Sequence, residues 1–240
     1  MNYRIIDCHT HVYPEKIAAK AVESIGNFYD IPMELDGTID TLLRISDEAG
    51  VSQCLIHGVA VDALHVRHIN DFVIAAVQAH PDRLMGFASL HPDMQKFSLG
   101  EARTDRLFSV CEGVCPMLFH TGDKRYQYSN PTLIPPILKK HPHLSLICAH
   151  FGGYSEWDEA AKCLANENVY VDSSSSFFML GKERARELID LYGADRVLFG
   201  SDYPMWQMKK EKETLLSLDL PENDLQKIFS GNLLHLLGKE

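Results

Sequence analysis

Two histidines separated by a single residue, His9 and His11, close the first apolar segment of the chain (4–12). Residues i and i+2 of a strand point to the same side, so both imidazoles can face one direction and form half of a divalent-metal site. His120 ends a second such segment (116–120), His150 a third (144–150) and Asp202 another (197–202). His120 could add a nitrogen and Asp202 an oxygen, leaving one position for water. Mixed nitrogen and oxygen ligands with an open position suit catalytic Zn²⁺, with Mn²⁺ or Fe²⁺ as alternatives. An isolated H-x-H is as readily an ordinary strand pair; agreement between several segment ends is what favours the metal.

The segments that would position these groups are 4–12, 53–59, 84–90, 116–120, 144–150, 169–173 and 197–202. They are rich in Val, Ile, Leu, Phe and Cys, as strands of a parallel sheet buried on both faces are. Amphipathic stretches at 38–49, 68–79, 104–111, 132–140 and 182–192 alternate with them, and 218–239 predicts one or two closing helices with Pro221 in a first turn. Strand–helix alternation of this length predicts a single α/β domain over 1–240, a TIM-type barrel whose strand ends converge on one face.

Composition narrows the function classes. The chain has 240 residues, 45% hydrophobic and 23% charged, with a formal net charge of −10. That balance supports a packed core and gives no reason to expect nucleic acid or an anionic membrane as partner. The start lacks the apolar run of a signal peptide, and no stretch approaches the roughly 20 apolar residues of a membrane span. The six cysteines include no C-x-x-C pair, so buried thiols in a cytoplasmic protein are expected.

Four motifs, D-C-H-T-H-V-Y-P (7–14), L-F-H-T-G (118–122), A-H-F-G-G (149–153) and L-F-G-S-D-Y-P (198–204), occur in order. With S-G-N-L-L-H-L-L-G at 230–238 they resemble the amidohydrolase-related family, metal-dependent hydrolases and decarboxylases that include aminocarboxymuconate semialdehyde decarboxylase. The resemblance implies a TIM-type barrel with one divalent metal held by His9, His11, His120 and Asp202. It places the histidine matching His150 beside the metal-bound water as base or polariser, so Asp202 and His150 are the catalytic candidates. Dimers are common in the family, so a homodimer is an expectation from the same source.

Around these residues, Lys124 and Arg125 are candidate receivers of a substrate carboxylate, against the more ordinary reading of solvated loop charges. Tyr154 and Trp157 are candidate pocket walls, as are Tyr203 and Trp206. His57 and His91 lie near strand ends and could line the pocket, with a satisfied loop histidine the favoured reading. His65, His68, His80, His141, His143 and His235 fall on helices or their flanks and are assigned no role.

The chain departs from the family pattern in one place. Seven strands are counted where a TIM barrel needs eight, and the fourth strand–helix unit is missing: 84–90 resembles the family's third strand while 93–99 resembles the stretch just past its fourth strand. A distorted seven-stranded barrel, a partner chain filling the gap, and a truncated variant with impaired folding are the three explanations. No lysine stands at a comparable strand end to bridge two metals, so a mononuclear site is expected. The leading functional reading is hydrolysis of a small amide, ester or lactone by activated water. Non-oxidative decarboxylation of an unsaturated or aromatic acid is the second, and a non-catalytic remnant the third.

Overall fold

The computed structural model describes residues 3–60, 62–91 and 98–239. In chain order its elements are β1 (Ile6–His11), α1 (Glu15–Tyr29), α2 (Ile39–Ala49), β2 (Gln53–His57), α3 (Val66–Ala79), β3 (Leu84–Gly86), α4 (Ala102–Cys111), β4 (Met117–Phe119), α5 (Ile134–Lys140), β5 (Leu146–Cys148), α6 (Trp157–Leu164), β6 (Tyr170–Asp172), α7 (Phe177–Tyr192), β7 (Val197–Leu198), α8 (Met208–Leu216), α9 (Glu222–Gln226) and α10 (Asn232–Leu236). Among the described residues there are thus seven strands, the number read from the apolar runs. The strands are shorter than those runs because apolar residues continue past the last ladder bond of each strand. Helix α1 was not among the expected amphipathic stretches. Most of the 93–99 stretch, where the missing unit was placed, lies outside the described residues.

The chain forms two compact units, Met1–Asp93 with Phe199–Asp219 and Met94–Leu198 with Leu220–Glu240. In the first, β1, β2 and β3 form a parallel sheet in that order. Their apolar side chains are almost wholly buried, with Ile6, Cys8, Leu55, Ile56 and Leu84 each at or below 1% exposure, and Asp7, His9 and Thr10 are buried with them. Helix α2 starts where the Thr38 hydroxyl accepts the Thr41 N–H and stops at Gly50 in the left-handed region. The returning segment 199–203 lies alongside β1: Cys8 N–H donates to Phe199 O at 2.9 Å and His11 N–H to Tyr203 O at 2.7 Å.

In the second unit, β4, β5, β6 and β7 form a second parallel sheet, again in sequence order. Ile147, Val171, Val197 and Leu198 fill its core with no exposure. Helix α7 extends N-terminally beyond the expected 182–192 because Gly181, at φ 69°, breaks it into two pieces. The closing segment is α9, a π-helical turn over Lys227–Gly231 and α10, with Pro221 capping the start. Asn232 ties it down, its side-chain amide donating to Ala194 O and Val197 O, each at 2.7 Å. No helix among the described residues is long and apolar enough to cross a membrane.

Candidate metal centre

In the first unit, the end of β1 and the segment after residue 199 bring three ligating atoms together. His9 Nε2 lies 3.2 Å from His11 Nε2 and 3.4 Å from Asp202 Oδ1, and His11 Nε2 lies 3.2 Å from Asp202 Oδ1. The backbone sets this arrangement. Asp202 N–H donates to His9 O at 2.9 Å, and Asp202 sits at φ 60°, a left-handed conformation that aspartate tolerates better than most residues. The β1–β2 ladder carries a one-residue irregularity between Asp7 and Thr10, which falls at His9. Thr10 Oγ1 donates to Leu55 O at 2.8 Å, holding the irregular stretch against β2.

The donor set fits a divalent ion. A tetrahedral ion about 2.0–2.2 Å from each ligand needs ligand–ligand edges of about 3.3–3.6 Å, close to the separations seen between these three atoms. Two imidazoles and a carboxylate are also the mixed donors that Zn²⁺ and Mn²⁺ accept. Two buried carboxyls also stand near the cluster. Burial pushes the Asp7 carboxyl up to about 7. Burial, reinforced by the charges of Asp7 and Asp202, pushes Glu211 up to about 8.

A fourth titratable side chain joins this cluster. His57, the last residue of β2, is in register with His11. The ring centroids of His9, His11 and His57 are 4.3–5.1 Å apart in edge-to-face contacts. Ligand atoms of these three histidines all lie within 4.8 Å of one another.

In the second unit, His120 follows β4 directly and His150 lies two residues past β5. His150 and Phe151 both have positive φ, 61° and 49°. Their loop is held by Asp172 at the end of β6, whose Oδ1 accepts the His150 N–H at 3.1 Å and whose carbonyl accepts the Phe151 N–H at 2.7 Å. His150 Nδ1–H donates to Ser174 O at 3.0 Å and lies 2.9 Å from Ser174 Oγ, which itself donates to Asp172. With its Nδ1 protonated, neutral His150 presents Nε2 as an acceptor, and His120 Nδ1 is 3.0 Å away. The His120 proton on Nδ1 then leaves the lone pair on Nε2, the form a metal ligand requires.

The amidohydrolase family matches residues 86–239. The chain belongs to this family. No curated protein matches the chain. Among solved structures, an uncharacterized TIM-barrel protein from Bordetella bronchiseptica is similar with a TM-score of 0.79 at 20% identity, over 98% of this chain and 99% of that one. A dihydroxybenzoic acid decarboxylase from Polaromonas sp. JS666, with bound manganese and 2-nitroresorcinol, has a TM-score of 0.76 at 17% identity over 99% and 97% of the two chains. A 5-carboxyvanillate decarboxylase from Novosphingobium aromaticivorans, complexed with manganese, has a TM-score of 0.75 at 16% identity over 98% and 96%. These likenesses show the fold class, the α/β TIM-type architecture that strand–helix alternation predicts.

Within this chain, His9, His11 and Asp202 meet in the first unit, and His120 and His150 meet in the second. Tyr154 stands beside the latter pair, its ring 5.5 Å from His120 and 5.6 Å from His150. Trp157 is buried and donates its indole N–H to His150 O at 2.8 Å, bracing the loop from behind. Arg125 turns back on Asp123, with Nη2–Oδ2 at 2.7 Å and Nε–Oδ1 at 3.0 Å, while Lys124 is exposed. Sequence reasoning favoured a satisfied loop histidine at His57 and assigned no role to Ser174. The cue for the first was its place at the end of the strand next to the H-x-H strand; for the second, an aspartate closing a strand two residues before Ser174.

Proposed function

We propose that the chain is a metal-dependent, non-oxidative decarboxylase of an aromatic or unsaturated carboxylic acid. The observation that carries the metal is the convergence of His9 Nε2, His11 Nε2 and Asp202 Oδ1 within 3.4 Å of one another. Support for decarboxylation over hydrolysis comes from the similarity to two manganese-containing decarboxylases along nearly the whole of each chain. The weight thus moves from the first sequence reading to the second.

In this reaction the bond between the carboxyl carbon and the ring or vinyl carbon breaks. CO₂ leaves, and the electron pair left on carbon takes up a proton. A divalent ion, Mn²⁺ or Zn²⁺, would supply positive charge to bind the acid's oxygens and stabilise negative charge as it develops. The chain's own residues do the rest. His9 and His11 would be neutral donors that leave the ion's charge undiminished; His9 is buried, and the Asp202 N–H bond to His9 O holds the 199–203 segment against β1. Asp202 or His150 handles the proton.

The test is to load purified protein with Mn²⁺ or Zn²⁺ and incubate it with hydroxybenzoates, unsaturated acids, lactones and amides. The expected result is CO₂ release from one of the acids, abolished in H9A, H11A and D202A. Ring opening of a lactone or cleavage of an amide without CO₂ would overturn decarboxylation in favour of hydrolysis. Protein that takes up no stoichiometric metal would remove the basis of both and favour the non-catalytic reading.

A further inference from the structure

The ligand set implied by the family resemblance uses His9 and His11 from the first strand and nothing from the second. In this chain the second strand also ends in a histidine. Residues paired across adjacent parallel strands lie about 4.8 Å apart at the same height. His57 is the register partner of His11, so its ring is carried to the level of the H-x-H pair. It is 8% exposed, beside His9 at 2%. The His11–His57 centroid distance, 4.3 Å, is shorter than the His9–His11 distance of 5.1 Å. His57 is therefore as much a part of the cluster as either motif histidine.

Three imidazoles packed this closely beside a carboxylate have few stable arrangements. Protonating more than one would place like charges within a few ångströms in a buried site. Edge-to-face packing of three rings would be served as well or better by Phe or Tyr, which carry no polar atoms to desolvate or fewer of them. A bound cation would give the three histidines, whose ligand atoms lie within 4.8 Å of one another, a common partner.

We propose that His57 is a ligand of the metal centre, making a three-histidine, one-aspartate group supplied wholly by β1, β2 and the segment after residue 199. This rests on the metal reading of His9, His11 and Asp202 given above and extends it to a residue outside the expected set. Losing a direct ligand should cost at least the 10–100-fold in affinity typical of losing an outer-shell partner, that is, at least about tenfold.

Co²⁺ titration tests this, because its visible absorption reports the number and kind of ligands independently of turnover. Apo wild type, H57A, H57Q and H11A are titrated, with the melting temperature of each apo protein as the check on folding. The expected result is one equivalent bound by wild type, at least about tenfold weaker binding by H57A, and a changed Co²⁺ spectrum in both His57 variants. If H57A fails to fold, H57Q carries the comparison. A His57 variant with wild-type affinity and spectrum, while H11A is impaired, would overturn the proposal and leave the metal centre standing. Wild type binding no Co²⁺ would instead overturn the metal reading beneath it.

Discussion

The Asp7 carboxylate accepts the backbone N–H of Ser201, 194 positions away in sequence, at 3.0 Å. The same oxygen accepts the N–H of His9 at 3.1 Å. One fully buried carboxylate thus fixes the backbone at a motif histidine and at the residue before Asp202. Asp7→Ala would leave two buried N–H donors unserved. We expect a loss of about 2–4 kcal/mol in urea unfolding and weaker Co²⁺ binding. Asp7→Asn keeps an acceptor oxygen and should lose less than half as much. Equal losses in the two variants would show that the acceptor is not what matters.

Much of this site was legible in sequence because its chemistry is tied to short-range periodicity. Apolar runs mark the strands, alternation puts His9 and His11 on one side, and the ends of the runs identify His120, His150 and Asp202. The role of His57 was not legible, since one histidine at a strand end is distinguished only by its register with the neighbouring strand, a tertiary property. The partner of Arg125 was not legible for a related reason. Composition shows a cation after His120, but only the fold shows that it closes on Asp123, two residues back. Strand ends came out too long because apolar character continues past the last ladder bond.

A second histidine without an assigned role governs stability. His141 is buried, its Nε2 2.9 Å from Asp105 Oδ1 and its Nδ1 3.2 Å from Glu112 Oε2. Both ring nitrogens face carboxylates, so the bound form is the imidazolium. The hydrogen bond to Asp105, then that to Glu112, raises the pKa of His141. Asp105 is lowered, first by Lys140 and then by His141, and Glu112 is lowered first by the His143 N–H. The histidine contribution is complete below about pH 6.5 and is lost as pH rises through the raised value. The carboxylate contributions are present above about pH 4.5 and are lost as pH falls through the lowered values. The clasp's contribution to the melting temperature should therefore be greatest between about pH 4.5 and 6.5 and decline on the alkaline side. His141→Asn should melt a few degrees lower at pH 6 and lack the histidine part of that decline. Parallel wild-type and variant curves from pH 5 to 9 would exclude the clasp.

Gly122 marks where the loops after β4 and β5 touch. At φ 78°, an added Cβ would meet Gly153 Cα and C at 2.8 Å and Tyr154 N at 2.9 Å. These are backbone atoms, held there by the Tyr154 N–H bond to Thr121 O at 2.7 Å. Gly122→Ala combines left-handed strain with a backbone collision, and we expect a loss of about 2–4 kcal/mol. Gly113→Ala is the control, with φ 69° and nothing within 4 Å of the new Cβ. It should cost only the conformational term, about 1–2 kcal/mol. Denaturant curves giving the same loss at both positions would show that the close approach carries no energy of its own.

The hydrogen-bond sequence from Asp172 through Ser174 and His150 to His120 fixes two tautomers. Asp172 Oδ1 accepts the Ser174 Oγ–H, the Ser174 N–H at 3.0 Å and the His150 N–H at 3.1 Å. His150 Nδ1–H then donates to Ser174, and its Nε2 accepts from His120 Nδ1 at 3.0 Å. In ¹⁵N-histidine spectra of the neutral, metal-free protein, both His150 and His120 should carry the proton on Nδ1. Ser174→Ala keeps the Ser174 carbonyl as acceptor, so the His150 tautomer should persist with a stability loss under about 1.5 kcal/mol. Asp172→Ala strands two backbone N–H groups and a hydroxyl, and should cost about 3–5 kcal/mol while releasing the loop that presents His150. A wild-type spectrum with His150 protonated on Nε2 alone would reverse the direction of the chain and remove His120 Nε2 as the predicted lone-pair donor.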